Sequence, residues 1–277
     1  MNKETDEAQP LFDGKTLKGW HAVPRLPPPA WPGAPEPDKT TVRYRTSAST
    51  CGHWEVVDGA IVGTQEIRGF GGWLLTDETF ADFELSYEAR PDWVADTGVL
   101  VRTTAMGSQG FQILLDHRRS GNIGGFFGNG IGGFHAENFT IDATYDKNGK
   151  PLGLHFEKPE VRVKPITEEK LALLSYAIQP EEFLKIWRWG EWNRFTVRCI
   201  GEYPVLSSWI NGVKMYEIDT GKMSYPNYDK EAVRKLLGRA GHIALEVHAN
   251  DPLLGDERWA PGAASRWRNI TLKRINS

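Results

Sequence analysis

The chain has 277 residues, and its 33 Lys and Arg against 36 Asp and Glu leave a formal charge of −3 at pH 7. That balance offers no basic excess to nucleic acid or to an acidic membrane, and a hydrophobic share of 40% is too high for a disordered chain. No run reaches the roughly 20 apolar residues that a membrane-spanning helix needs.

The chain opens on MNKETDEAQP, a polar lead-in without an apolar signal core. Residues 1–10 read as a stub left after removal of an export signal. A periplasmic or secreted location is therefore expected, with a cytoplasmic one as the alternative. Residues 11–277 show no internal repeat and no linker and read as one domain. The proline-rich stretch 24–38 reads as a surface excursion, in part polyproline II. Phe83, Leu85, Tyr87 and Ala89 alternate with polar residues, the period-two signature of a half-buried strand. Residues 99–102 and 111–116 read as further strands. The glycine-rich stretch 121–133 is expected to be a sharply turning loop. Periodicity is weak from there to Gly190, where 167–174 and 180–187 suit short helices. Residues 194–200 form a strand signal, and Asn211-Gly212 marks a hairpin turn. Residues 231–237, closed by Gly238, are the best helix candidate. Residues 242–248 and 267–275 close the chain as strands. Many short strands joined by Gly-rich turns imply an all-β sandwich of two antiparallel sheets with a few short helices.

Cys51 and Cys199 build no disulfide framework and no zinc site, and their pairing stays open. Eleven tryptophans suit a core, and they equally suit platforms for the apolar faces of sugar rings.

Specific segments carry a family pattern. LFDGKTLKGW presents an early Trp, and HWEVVDGAIVG follows as a hairpin. GGWLLTDETFADFELSYEAR holds a glycine pair, the aromatic Trp73, a threonine and a long DFEL…E.R strand. DTGVLVR resembles NSGIFLR, and GFQILLDH…GNIGGFFG resembles EYQILDD…TGALYG. EWNRFTVRCIGEYPVLSSWINGVKM resembles EWN…HWLNG, and GHIALEVHA with WRNITLKRI resembles G.I.LQDHG…FRNI.I. In this order, from Leu11 to Ile275, the segments resemble the 3-keto-disaccharide hydrolase family. The resemblance implies a concanavalin-like jelly roll and an activity on sugars that carry a ketone at C3. The chain departs from the pattern at Asp96-Thr97 in place of Asn-Ser, at Gly110 in place of an acid, and at Glu246-Val247 in place of Gln-Asp. Its segment 129–190 is far longer than usual.

A C3 ketone acidifies the C2 hydrogen. The chemistry then needs a base near C2, an acid near the C1 oxygen and a donor for the enolate oxygen. It does not need the paired carboxylates of an ordinary glycosidase. Asp116 and His117, at a strand end beside a loop, are the first catalytic candidates. Asp116 could instead cap turn amides, and alternation puts only one of the two on a given face. Gln112 shares a strand face with Asp116 and must bond either the sheet or a sugar. Glu88 and Arg102, placed on neighbouring strands, form either an ion pair or substrate contacts, and Arg102 could bind the C3 oxygen. His248 lies opposite Ile243, Leu245 and Val247 and is the second acid–base candidate. Trp73 and Asn193 complete the substrate-binding expectation, although Asn193 also suits a structural tie at a strand start. No cofactor is expected. A calcium-like metal could find hard ligands in His135, Glu137 and Asp142, or in Glu246, His248 and Asp251, but neither spacing is specific. The expected partner is a carbohydrate.

Two other functions compete. A lectin-like module would use Trp and amides without gathering Asp, His and Arg in one cleft. A retaining glucanase of this fold would carry Glu-x-Asp-x-x-Glu on one strand, and that spacing is absent.

Overall fold

A computed structural model describes residues 7–161 and 163–275. In chain order its elements are β1 (Gln9–Pro10), β2 (Trp20–Pro24), α1 (Val42–Ala48), β3 (His53–Val57), β4 (Ala60–Thr64), β5 (Gly72–Thr76), β6 (Phe83–Ala89), β7 (Ala95–Thr103), β8 (Gly110–His117) and β9 (Ile123–Asn129). There follow β10 (His135–Ala136), β11 (Ile141–Tyr145), β12 (Pro151–Phe156), α2 (Glu168–Ala172), β13 (Tyr176–Ala177), α3 (Pro180–Ile186), β14 (Asn193–Ile200), β15 (Val205–Ile210), β16 (Val213–Asp219), α4 (Lys230–Leu237), β17 (His242–Val247) and β18 (Ser265–Arg274).

Two antiparallel sheets form the sandwich. One runs β13-β16-β15-β14-β6-β18-β4-β3, with β1 added against β18; the other runs β10-β9-β8-β7-β17-β5-β2. β11 and β12 form a separate hairpin. The short β1 pairs Gln9 with Leu272, so the end of the polar lead-in is tied to the last strand. The expected jelly roll is therefore present. The hairpin at Asn211-Gly212 joins β15 to β16, and both residues hold positive φ, as a tight primed turn requires. Gly238 caps α4 at φ 71°.

Alternation decides which residues meet between the sheets. Leu85, Tyr87, Phe195, Val197 and Trp267 face Val99, Val101, Ile113, Leu115, Phe126 and Leu245 in one core. Tyr87 stacks on Phe195 with ring centroids 5.1 Å apart. Each such fully buried side chain contributes on the order of 1.5–3 kcal/mol.

The glycine-rich stretch corrects the sequence reading: most of it is β9, a strand paired on both sides. Glycine is needed there for close approach rather than for turning. A Cβ on Gly128 would stand 2.4 Å from the Phe134 ring.

The sheets differ in their outer faces. β14 alternates buried and open residues, whereas every residue of β7 and β8 is buried. A strand buried on both faces has something covering its outer side. Arg25 from the end of β2, Lys164 and Lys170 from the segment after β12, and Arg258 from the loop after β17 all reach across that outer face.

Candidate active site

The outer face of the β10-to-β2 sheet divides into two halves. Trp73, Leu75, Leu100 and Ala244 make an apolar patch. Beside it lies a set of buried polar side chains, fixed by strand register. Asp96 on β7 stands opposite Asp116 on β8, Gly98 opposite Leu114, and Leu100 opposite Gln112. On β17, Glu246 stands opposite Trp73 of β5. On the far side, Phe127 of β9 pairs with His135 of β10, and their rings lie 4.5 Å apart.

Asp116 and Asp96 have opposite environments. Asp116 accepts a hydrogen bond from Lys164 Nζ at 2.7 Å and shares one with Asp96. Burial, reinforced by the neighbouring Asp96 charge, pushes its pKa to about 7 against the pull of Lys164 and Arg118. Burial also pushes Asp96 upward, but the Arg118 and Arg258 guanidiniums outweigh it and hold Asp96 well below the usual carboxylate range. Arg118 Nε donates to Asp96 at 2.7 Å, and Arg258 donates to the same oxygen. Such a split within a carboxyl pair separates a group that carries charge from a group that can carry a proton.

Glu246 forms the second centre. It is fully buried and accepts from Gln112 Nε2 at 2.5 Å and from Arg25 Nε at 2.8 Å. Burial raises its pKa to about 7, against the pull of Arg25. Gly98 makes this contact between strands practicable. A Cβ there would meet the Gln112 amide at 2.5 Å, so only glycine lets Gln112 cross β7 to reach β17.

Lys164 joins Asp116 to Glu137, with its Nζ 3.5 Å from Glu137 Oε2, while Lys170 donates to Glu137 Oε1 at 2.7 Å. Burial disfavours the charge of Lys164, but Asp116 and Glu137 outweigh it and raise its pKa. Burial likewise pushes Glu137 upward, and the charges of Lys164 and Lys170 overcome it and lower its pKa. His135 is driven to about 3, by burial first and then by Lys164, and it stands as a neutral imidazole.

The expected residues divide accordingly. Asp116, Gln112 and Trp73 share this face, and His248 sits at its edge. Trp73 is fully buried and lies under the Arg25 guanidinium, 5.2 Å from the ring centroid, so it supports Arg25 rather than presenting an open stacking surface. His248 has both ring nitrogens engaged: Nδ1 bonds Ala249 O at 2.5 Å, and Nε2 meets Arg25 Nη2 at 2.8 Å. Burial and then Arg25 hold its pKa well below the usual value. His248 is therefore a neutral acceptor that orients Arg25, not a free proton carrier.

Three expectations, for His117, Glu88 and Arg102, are corrected, and Asn193 resolves to its structural alternative. His117 turns to the opposite side of β8 from Asp116, its Nδ1 bonded to Asp92 O at 3.0 Å. Glu88 and Arg102 do not lie side by side, because β6 and β7 belong to different sheets. Glu88 pairs with Arg268 at 2.7 Å on the outside of its sheet. Arg102 is buried against Asp82 at 2.8 Å and Ala81 O at 3.0 Å, a structural ion pair remote from Asp116 along β7. Asn193 is fully buried and ties Arg188 N and O and Glu191 O to the start of β14. Among the described residues no group of three or more His, Cys, Asp or Glu is arranged to hold a metal ion; Glu137 and Glu246 spend their oxygens on cations and an amide instead. Asp96, Arg25, Arg118, Arg258 and Lys164 were missed, and Glu246 was considered only as a metal ligand. Asp96 and Glu246 stand at positions where the sequence departs from the family pattern, and that was the available signal.

The family described as the 3-keto-alpha-glucoside-1,2-lyase-like domain matches residues 7–273. A solved Parabacteroides distasonis protein, provisionally described as a glycosyl hydrolase, is 14% identical with a TM-score of 0.48, covering 98% of this chain and 95% of that one. A second P. distasonis protein with the same description is 18% identical with a TM-score of 0.42, covering 80% and 90%. A Bacillus subtilis protein of unknown function with a galectin-like fold is 12% identical with a TM-score of 0.43, covering 99% and 98%. No curated protein matches.

Proposed function

This chain belongs to the 3-keto-alpha-glucoside-1,2-lyase-like domain family, and from that premise we propose that it cleaves 3-keto-glycosides by elimination and rehydration, with Asp116 as the base and Glu246 as the acid. The observation that carries the proposal is the placement of two buried carboxyls, each bonded to a cation, on the covered outer face of one sheet. Both have pKa values raised to about 7, which suits groups that must give and take protons near neutrality.

In the proposed sequence, Asp116 takes the C2 proton and the electron pair moves onto the C3 oxygen as an enolate. Lys164 and Arg25 supply the positive charge that favours this oxyanion in a buried site. The enolate then reforms the ketone, a C1–C2 double bond forms, and the C1–O bond breaks. Glu246 gives its proton to the departing oxygen. Water next adds at C1, its proton returns to Glu246, and Asp116 returns a proton to C2, so the net change is hydrolysis. Asp96 stays ionised throughout and favours the proton-bearing form of Asp116. His248 and Gln112 orient Arg25 and Glu246.

The test compares a 3-keto-glucoside with its unoxidised parent in deuterated water. Release of aglycone from the ketone alone, with deuterium at C2 of the product, is the expected result. Equal turnover of the unoxidised glycoside would sink the ketone requirement, and an unlabelled C2 would sink the elimination.

A further inference from the structure

We propose that the cleft behind Asp116, on the opposite side of β8, is a second binding site, one that takes a pyranose bearing a carboxylate, as in a uronic-acid oligosaccharide. The cleft has a volume of about 400 Å³ and is lined by Trp93, Trp189, His117, Arg90, Lys150 and Asp92, among others. No residue given a role in the proposed chemistry lines it.

Three observations support this site. First, Trp93 and Trp189 present two indole surfaces, 5.7 Å apart and inclined by 49°. Flat aromatic faces match the apolar face of a sugar ring. Trp93 is held in place by a hydrogen bond from its Nε1 to Tyr145 OH at 3.1 Å.

Second, His117 is 2% exposed and forms part of the lining. Its ring is wedged against Trp93, Trp187 and Trp189. Burial lowers its pKa to about 4, so the imidazole is neutral, and its Nδ1–H donates to Asp92 O. The tautomer is thereby fixed, and Nε2 is a bare acceptor with no partner among the described residues. Nε2 is itself closed off from the cleft, so the neutral ring serves the site as a floor that fixes Trp93 and Trp189 in place.

Third, the charge of the rim is one-sided. Asp92 is consumed by Arg266 Nη1 at 2.7 Å and by Ala264 N at 3.0 Å. Arg90 rests over the Trp192 ring at 4.9 Å, and neither Arg90 nor Lys150 has a carboxylate within ion-pair distance among the described residues. Two cations beside an aromatic surface favour a sugar that carries an anion.

The experiment measures binding of a β-1,4-linked glucuronate tetramer and of cellotetraose by calorimetry to the full chain. Neither probe carries a ketone, so the result is independent of whether the proposed cleavage occurs. The glucuronate tetramer is expected to bind more tightly, and added salt should weaken it. Trp189→Ala and Trp93→Ala should each raise its Kd about fivefold or more, and Lys150→Ala should weaken it while leaving cellotetraose unaffected. Turnover of a small 3-keto-glucoside should be unchanged in all three variants. Equal affinity for the two probes would overturn the acidic assignment. Unchanged affinity in both Trp variants, or no binding of either probe by the wild-type chain, would overturn the site itself. Lys150 is exposed, so its variant keeps the test valid should a Trp variant fold poorly.

Discussion

Asp96 and Asp116 stand directly opposite each other on antiparallel strands, share a hydrogen bond, and yet are driven to opposite protonation tendencies. Two guanidiniums serve Asp96, whereas one ammonium and a distant guanidinium, 3.8 Å away, serve Asp116. The asymmetry makes Asp116 the member of the pair that exchanges a proton near neutrality.

Asp116→Asn keeps the shape and removes the proton acceptor. Turnover of a 3-keto-glucoside is expected to fall about 10²–10⁴-fold, and solvent exchange at C2 should be lost with it. Asp96→Asn removes the charge that raises Asp116, so the wild-type limb near pH 7 should move to lower pH. Steady-state rates from pH 5 to 9 check both, and an Asp116→Asn enzyme of full activity would place the base elsewhere.

The same shift predicts a stability trend. Asp116 and Glu246 bind protons in the folded state up to about pH 7, while in the unfolded chain they lose them near pH 4. Between those values the folded state holds more protons, so stability falls as pH rises. Asp116→Asn and Glu246→Gln should each flatten this fall, with melting temperatures that compare better with wild type at pH 8 than at pH 5. Thermal unfolding at the two pH values measures it, and parallel wild-type and variant curves would contradict it.

Arg102 gives a contrasting outcome. Its guanidinium neutralises Asp82 in the interior, where Arg239 is a second partner. Arg102→Met leaves that carboxylate with less compensation, and a loss of about 3 kcal/mol is expected, with activity per folded molecule retained. Denaturant unfolding with an activity assay on the folded fraction decides it. Loss of activity without loss of stability would return Arg102 to the substrate.

How much of this was legible in the sequence follows from the range of each signal. Period-two alternation is local, and it correctly put Gln112 and Asp116 on one face and His117 on the other. It also marked β6, β14 and β18. Strand neighbourhood is not local. Glu88 and Arg102 lie on strands that the family resemblance places side by side, yet β6 and β7 belong to different sheets. Lys164 was invisible for the same reason: no periodicity surrounds it, and 48 residues separate it from Asp116. Glycines misled in β9 because composition does not distinguish a turn from a strand pressed by an aromatic ring. Asp96 was visible only as a departure from a family pattern, and Glu246 as such a departure and a possible metal ligand; their meaning needed the register that sets Asp96 against Asp116 and Glu246 against Trp73.

Gly98 offers a test by steric change alone. A methyl group there would displace the Gln112 amide from Glu246. Gly98→Ala should lower turnover, and Gln112→Ala should reproduce much of that loss without the backbone crowding. If Gly98→Ala is fully active, the Gln112–Glu246 bond does not position the acid.

Lys164 connects the long segment after β12 to the chemistry. It is the direct cationic partner of Asp116 and it also faces Glu137. Removing its charge with Lys164→Met leaves Asp116 with burial and the Asp96 charge, the two influences that favour its protonated form, and only Arg118 opposing them. Asp116 should then hold its proton to higher pH, and the limb on which activity rises with pH should move up. Lys170 still serves Glu137, so that carboxylate keeps a partner and the fold should survive. Lys164→Arg restores the charge in a bulkier form and should return the limb toward its original position even if the maximal rate stays low. A merely structural lysine would lower the rate in both variants and leave the pH limb where it was, so the position of that limb, rather than the size of the rate loss, is the measurement that assigns Lys164 to the proton chemistry.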